Sequence, residues 1–354
     1  MDFTTLFTSY GWEFLICFIL FTIAIPLIAV ILSFLVFQIG LLLPINKKKV
    51  EGRHILVIGA SQGLGKSLAI SLSKLGASRI TLSARGTDFD EKGLSRLDYA
   101  VEECKANADI GIEIEGLKMD VTNPEKVNES ILKLVERVGK VDWVVISSGR
   151  AQLELFNHEK SHLPKNERSM MDLNYFGPVN VVRSLLLLGD TKGKQYYPER
   201  IISVGSLASC CPMSGSTAYG ASKTALRAFF ENLRNESCFY PNVKLHHFLP
   251  GAIDSPGFEV ENLTKPKVTR AIEGSVDTIT SDYAATCLLK GITRENYNIC
   301  SDYIGFMARA LSNGLNPREQ TILDIFASPF YTLLGEILYR HFDSVACSEA
   351  KTHN

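Results

Sequence analysis

Arg53-His-Ile-Leu-Val-Ile-Gly59 reads as a strand, which turns through Gly59 into a helix carrying Gly63 and Gly65. A strand that turns through glycines straight into a helix opens a parallel βαβ unit, and it commits the chain to a sheet with helical crossovers. In Gly59-Ala-Ser61-Gln-Gly63-Leu64-Gly65 the missing side chains let backbone N–H groups approach an anion, and the helix N-terminus favours negative charge there. A pyrophosphate is the ligand such a loop fits.

The pattern repeats. Arg79-Ile-Thr-Leu-Ser-Ala-Arg85 reads as a second strand, Gly116-Leu-Lys-Met-Asp120-Val as a third and Val141-Asp-Trp-Val-Val-Ile-Ser147-Ser148-Gly149 as a fourth. A polar helix is expected from Asp90 to Lys105, and a sixth strand from Val243 to the turn at Pro250-Gly251. Strands alternating with helical segments predict an α/β doubly wound parallel sheet. A site for NAD wants a carboxylate at the end of the second strand for the ribose 2′-hydroxyl, and none stands at Ser83, Ala84 or Arg85. The Arg85 guanidinium suits a 2′-phosphate instead, which points to NADPH. Asp120 reads on its own as the cap of a helix starting at Pro124.

Between Ile201 and Leu226 lies the fifth strand, broken at Gly205-Ser206, and then a small-residue helix carrying Tyr219 and Lys223. Four residues apart, those two share one face. An ammonium beside a phenol favours the phenolate, so the pair predicts a Tyr219 pKa lowered toward neutrality. Ser206 falls at the C-terminal end of a strand, where open α/β sheets place ligands. A hydroxyl, a phenol and an ammonium together suit proton delivery to a carbonyl oxygen.

Strand, Ser206 and Tyr219-Gly-Ala-Ser-Lys223, with the glycine loop upstream, resemble the short-chain dehydrogenase/reductase family. The resemblance implies Ser206, Tyr219, Lys223 and Asn174 as catalytic residues, Asn174 holding a proton-relay water. It implies cofactor contacts at Gly59, Ser61, Gly63, Leu64, Gly65, Asp120, Gly149, Tyr219, Lys223, Pro250, Ile253 and Ser255, and pairing of relatives through the Tyr219 helix. Two departures stand out. Ile58 replaces the usual Thr, and Ser147-Ser148-Gly149 replaces Asn-Asn-Ala-Gly, leaving open how that turn is braced.

No charged residue occurs from Phe14 to Ile45, a stretch longer than the roughly 20 apolar residues a bilayer needs. Lys47, Lys48 and Lys49 follow and predict a cytosolic side for everything after them. Pro26 leaves two forms open, a kinked span or an in-and-out hairpin. A tail from Thr321 to His341 is apolar but interrupted by Asp324, Pro329 and Glu336, and is read as interfacial or as an oligomer contact in preference to a second span. The chain thus divides into an anchor (1–50), a catalytic domain (51–300) with a substrate lid near 257–300, and a C-terminal segment (301–354). A net charge of −1 gives no electrostatic case for nucleic acid. Eight cysteines without C-x-x-C spacing predict buried, reduced thiols and no metal site.

Asp254-Ser-Pro256-Gly257-Phe258-Glu-Val-Glu261-Asn-Leu-Thr-Lys265-Pro266, Ala271 to Gly274, Ser301 to Phe306, Ala310 to Gly314 and Pro317-Arg318 resemble the 3-ketodihydrosphingosine reductase branch of that family. The branch implies NADPH-dependent reduction of a long-chain amino ketone at the endoplasmic reticulum, facing the cytosol. A membrane-bound reductase of a steroid, retinoid or fatty-acyl carbonyl would use the same core, and a non-catalytic lipid-binding scaffold is the alternative of another class. Sequons at Asn128, Asn235 and Asn262 stay bare if the domain is cytosolic.

Overall fold

The computed structural model describes residues 11, 13, 16–17, 19–156, 163–274, 277–312 and 321–352. The start of the apolar run at Phe14 and the segment containing Asn313, Gly314, Pro317 and Arg318 lie outside the described residues. In chain order the elements are α1 (Ile25–Leu42), β1 (His54–Ile58), α2 (Gly63–Leu72), β2 (Arg79–Ala84), α3 (Arg96–Asn107), β3 (Glu113–Lys118), α4 (Pro124–Val138), β4 (Trp143–Ile146), α5 (Leu163–Met171), α6 (Gly177–Lys192), β5 (Arg200–Val204), α7 (Thr217–Glu236) and β6 (Lys244–Leu249). After these come β7 (Ile253–Asp254), α8 (Pro256–Thr264), α9 (Lys267–Glu273), β8 (Ile279–Thr280), α10 (Ser281–Thr293), β9 (Asn298–Cys300), α11 (Tyr303–Ser312) and α12 (Thr321–Thr352).

Seven strands form one parallel sheet in the order β3-β2-β1-β4-β5-β6-β9. All five residues of β1 are buried, as a central parallel strand covered on both faces must be. Ile55 and Val57 enter the core beneath α2, α3 and α10, whereas Leu56 and Ile58 enter the one beneath α4, α6 and α7. The strand order reverses between β1 and β4, which opens the crevice where such sheets hold ligands. The expected doubly wound sheet is therefore present, with β9 as a further strand.

Local boundaries move where side chains decide them. Ser95 and Asp98 build a reciprocal capping box, so α3 starts at Arg96, and Asp90 instead accepts the N–H groups of Lys92 and Leu94. Strand β3 begins at Glu113 and ends before Asp120. Helix α4 buries Val127, Ile131, Leu134 and Val135, one stripe at helical spacing.

Leu20–Leu42 is one continuous helical stretch, which removes the hairpin reading for those residues. Its 23 residues reach about 34 Å at 1.5 Å each, enough for a bilayer core. A wide π-turn at Leu20–Ala24 precedes Pro26; proline has no N–H and crowds the preceding turn, and the wider turn absorbs both effects. Helix α12 packs along α1 through Ala29, Ala327 and Tyr331, and Ala310 of α11 joins the seam. Within that seam the Ser33 hydroxyl lies 2.6 Å from Tyr331 Oη and 2.9 Å from Tyr303 Oη. Arg309 of α11 donates to Asp324 of α12 at 3.1 Å, both buried. The outer faces stay apolar and exposed, at Ile28, Ile31, Ile39, Ile325, Leu333 and Ile337. A contiguous apolar surface of this kind marks membrane association.

The joint between α1 and the sheet domain is built. Lys290 of α10 donates to the Leu41 carbonyl, Arg294 donates to the Leu43 carbonyl at 3.1 Å, and Thr293 Oγ1 accepts from Asn46 N at 3.5 Å. These groups cap the carbonyl end of α1 and complement its dipole. Lys49 pairs with Glu295 at 2.5 Å.

All eight cysteines are free thiols, but only Cys104, Cys287 and Cys300 are buried; Cys17, Cys238 and Cys347 are exposed, which corrects the expectation that all are interior.

Candidate active site

Strand β5 ends at Val204, and Gly205 then runs against β6: a Cβ there would lie 2.5 Å from His247 Nε2 and 3.0 Å from the Phe248 carbonyl. That close approach projects Ser206 past the end of the sheet. Ser206 starts a single 3₁₀ turn, its Oγ accepting from Ala208 N at 3.2 Å. Tyr219 and Lys223 follow on the first turns of α7, and the Lys223 ammonium lies 6.0 Å from the phenol ring centre. Lys223 Nζ donates to the Val204 carbonyl at 3.0 Å, which ties α7 to the end of β5.

The electrostatics run opposite to the expectation for Tyr219. Burial pushes its phenol up to about 12, a neighbouring Glu261 charge adds to the rise, and only the Ser206 hydroxyl opposes it. Burial also draws Lys223 down to about 8. Desolvation of the phenolate outweighs any help from the ammonium, so Tyr219 is a protonated donor at neutral pH.

Asn174 lies in a π-turn at Asp172–Phe176, a widened turn that frees its side chain from the helix ladder. Its Oδ1 accepts from Arg150 N at 3.0 Å, and its two amide hydrogens go to the Arg150 carbonyl (3.0 Å) and Ser222 Oγ (2.9 Å). Ser222 in turn donates to the Tyr219 carbonyl at 2.7 Å. Asn174 thus braces the turn after β4 against the helix of Tyr219, with both amide hydrogens committed to protein. Ser222, which sequence reasoning passed over as one more small residue, completes that brace.

One cleft of about 1850 Å³ is lined by Ser206, Tyr219 and Lys223 and by Gly59, Ser61, Gly63, Leu64, Gly65, Arg85, Asp120, Gly149, Pro250, Ile253 and Ser255. Asn174 alone of the predicted residues stands behind the wall. A Cβ on Gly149 would lie 3.1 Å from Asn174 Oδ1 and 3.3 Å from Lys223 Nζ, so Gly149 is the thin partition between Asn174 and the cleft, set close against Lys223.

The glycine loop fits a dinucleotide. Gly59 has φ +79°, and a Cβ on Gly65 would fall 2.3 Å from the Gly59 carbonyl and 2.6 Å from Ser147 Oγ. Only glycine lets α2 approach the strand that closely, and no side chain caps the N-terminus of α2, which opens on the cleft. Ser147 answers the question of the altered turn: its Oγ donates to the Ile58 carbonyl at 2.7 Å, lacing β4 to β1. Ser148 Oγ, also on the cleft wall, is buried with no partner among the described residues.

Arg85 is exposed at the end of β2 and faces the same cleft. Arg96 joins it, held by Gln62 at 2.9 Å and Asp88 at 3.0 Å, a second cation that no sequence spacing announced. Asp120 does not cap α4; Asn123 does, accepting from Lys126 N at 2.9 Å. Asp120 instead accepts from the N–H and hydroxyl of Thr122 and turns toward the cleft. Ser255 caps α8, its Oγ accepting from Phe258 N at 3.2 Å. An orphaned hydroxyl, an uncapped helix and a free guanidinium leave the groups that a phosphorylated dinucleotide requires.

The span 257–300 divides in two. Helices α8 and α9 sit over the cleft, whereas α10 and β9 belong to the sheet core, with Ala284, Leu288 and Ile299 buried. Beyond the catalytic floor the cleft continues as an apolar arm walled by Ile304, Met307 and Leu311 of α11 and Leu334 and Leu338 of α12.

The family model described as short chain dehydrogenase matches residues 53–265. A 3-ketodihydrosphingosine reductase of Cryptococcus neoformans is 32% identical over 276 residues, 77% of this chain and 78% of its own length. A 3-dehydrosphinganine reductase of Danio rerio is 32% identical over 285 residues, 80% and 81% of the two chains. Among solved structures, an alcohol dehydrogenase of Thermococcus sibiricus complexed with 5-hydroxy-NADP superposes with TM-score 0.54 at 25% identity, over 70% of this chain and 95% of its own. With the glycine loop, the Ser206–Tyr219–Lys223 floor and a match across most of the sheet, this chain belongs to the short-chain dehydrogenase family.

Proposed function

We propose that this chain reduces the ketone of a long-chain 2-amino-3-keto lipid, 3-ketodihydrosphingosine, to the amino alcohol with NADPH. One observation carries the reading: the proton-donating floor opens into an apolar arm walled by α11 and α12, and α12 packs on the apolar α1. A lipid chain can lie in such an arm while its polar end reaches Ser206. Relatives bearing the reductase name match most of the chain, which supports the same substrate.

When bound, the reduced nicotinamide supplies hydride to the carbonyl carbon. Tyr219, protonated at neutral pH, gives its proton to the oxygen as negative charge develops there, and Ser206 Oγ hydrogen-bonds the same oxygen. The Lys223 ammonium, in a site of low polarity, favours the phenolate left behind. Asn174 acts through Ser222 to hold the first turn of α7 in place. Gly59, Ser61, Gly63, Leu64 and Gly65 take the pyrophosphate, Arg85 the 2′-phosphate and Asp120 the adenine. Gly149, Pro250, Ile253 and Ser255 flank the nicotinamide end.

In this reading residues 1–50 anchor the chain, 51–300 form the catalytic domain with its lid confined to α8 and α9, and 301–354 complete the apolar arm. Lys47, Lys48 and Lys49 hold the domain in the cytosol, at the endoplasmic reticulum where such lipids are made. Detergent-solubilised protein is expected to convert 3-ketodihydrosphingosine to the amino alcohol with NADPH and far more slowly with NADH. NADPH binding without turnover of this ketone would overturn the substrate. A glycosidase-sensitive mobility shift from Asn128, Asn235 or Asn262 would overturn the cytosolic orientation.

A further inference from the structure

The cap over the catalytic floor contains a charge cluster built around a buried lysine. Helix α9 is seated on the loop that leads into α7: Thr269 Oγ1 donates to the Ser214 carbonyl at 2.7 Å, and a Cβ on Gly215 would lie 2.5 Å from that Oγ1. The cap is therefore fixed relative to Tyr219. Lys265, between α8 and α9, has a side chain only 1% exposed. Its ammonium lies 2.9 Å from Glu261, 2.8 and 3.1 Å from the two oxygens of Glu273, and 4.6 Å from the Phe258 ring centre. All four side chains line the cleft together with Tyr219.

Two half-buried carboxylates around one buried ammonium leave the trio with one excess negative charge. Arg270, the neighbouring cation, is exposed and donates to the carbonyls of Asn262 and Lys265. Asp277, also on the cleft, is exposed and negative. Even with Lys265 beside it, Glu261 is held above the ordinary carboxyl range by burial, and the Glu273 charge acts in the same sense. Glu261 lines the same cleft as Tyr219, and the Thr269–Ser214 hydrogen bond seats its cap against the loop that leads into the Tyr219 helix. A buried carboxylate that remains under-compensated is stabilised by a second cation.

We infer that Glu261, steadied by Lys265 and backed by Glu273, receives the substrate's ammonium. The inference rests on the amino-ketone reading above and adds the group that recognises the amine. In that substrate the ammonium stands one carbon from the ketone. With the carbonyl oxygen on Ser206 and Tyr219, the adjacent charge falls on the cap side of the floor, where Glu261 waits. Lys265 keeps both carboxylates turned inward, and the incoming ammonium completes a two-plus-two arrangement. A ketone of the same length without the amine leaves the excess charge unanswered, and an N-acylated one brings bulk with no charge.

The test compares 3-ketodihydrosphingosine with its des-amino analogue, using the full chain in detergent with NADPH. The wild type is expected to prefer the amino ketone in kcat/KM, and Glu261→Gln to reduce that preference at least about tenfold, chiefly through KM. NADPH affinity, read by cofactor fluorescence, is expected to stay unchanged. Glu273→Gln, which leaves the Glu261–Lys265 pair intact, is expected to give a smaller loss in the same direction. Calorimetric titration with the amino alcohol product is expected to follow the same order. Full preference retained in Glu261→Gln overturns the assignment. Equal kcat/KM of the wild type for both ketones also overturns it while leaving the proposed function standing; reduction of neither ketone removes both.

Discussion

Among the described residues the Lys223 ammonium finds one hydrogen bond, to the Val204 carbonyl at 3.0 Å, and burial draws its pKa from 10.5 to about 8. A lysine whose folded value lies below its unfolded one binds its proton more tightly when unfolded. The folded state is therefore penalised at pH below 8, and the penalty fades as pH rises toward 10.5. At about 1.4 kcal/mol per pH unit, a fall of this size costs the cofactor-free protein about 3 kcal/mol at pH 7. Lys223→Met keeps the length of the side chain and removes the charge. It also strips the Val204 carbonyl of its partner, at about 1 kcal/mol. The variant is expected to be about 2 kcal/mol more stable than the wild type at pH 7, with the difference shrinking by pH 10. Denaturant unfolding of the detergent-solubilised, cofactor-free protein at the two pH values measures it. A variant less stable than the wild type at pH 7, or a gain independent of pH, would refute the argument that this ammonium is held at a cost.

Tyr219→Phe removes the proton and is expected to lower kcat by about 10²- to 10⁴-fold while NADPH affinity by fluorescence titration stays near the wild-type value. Arg85→Ser is expected to shrink the NADPH-over-NADH binding preference about 10- to 100-fold, since a guanidinium facing a phosphate is worth a few kcal/mol; an unchanged ratio would shift the 2′-phosphate contact to Arg96. Asp324→Asn leaves the Arg309 guanidinium buried without its carboxylate and is expected to cost about 3–5 kcal/mol in thermal or denaturant unfolding, whereas Arg309→Met with Asp324→Leu recovers most of the loss.

Much of the fold was legible because its signals are local. The run from Arg53 to Gly59 and the glycines after it state a strand, a turn and a helix, and the structure has all three, the strand at His54–Ile58. Ser206, Tyr219 and Lys223 came together as their spacing implied, because a strand end and the first turns of the following helix leave little freedom. What depended on distant packing was not legible. The direction of the Tyr219 shift is set by how completely the cleft encloses the phenol, which no four-residue spacing reports. Strand β9 is three residues long, too short for any period to show. Nothing in the spacing of Glu261, Lys265 and Glu273 announces a cluster; only the fold of α9 over α8 buries the lysine between two carboxylates. The altered Ser147-Ser148 turn was visible as a departure, but the lacing of Ser147 to the Ile58 carbonyl needed the neighbouring strand.

The capped end of α1 has a mechanical consequence. Lys290 and Thr293 belong to a helix packed on the sheet's core, and Arg294 caps that helix, so the apolar rod is tied directly to the catalytic body. Through these contacts whatever layer surrounds the rod biases the aspect of the whole domain. The arm walled by α11 and α12 then keeps a preferred bearing toward that layer in place of sweeping evenly through the surrounding volume. A reactant dissolved in the layer searches a plane for an opening biased toward it, and the gain in encounter comes from geometry alone, with no tighter contact required.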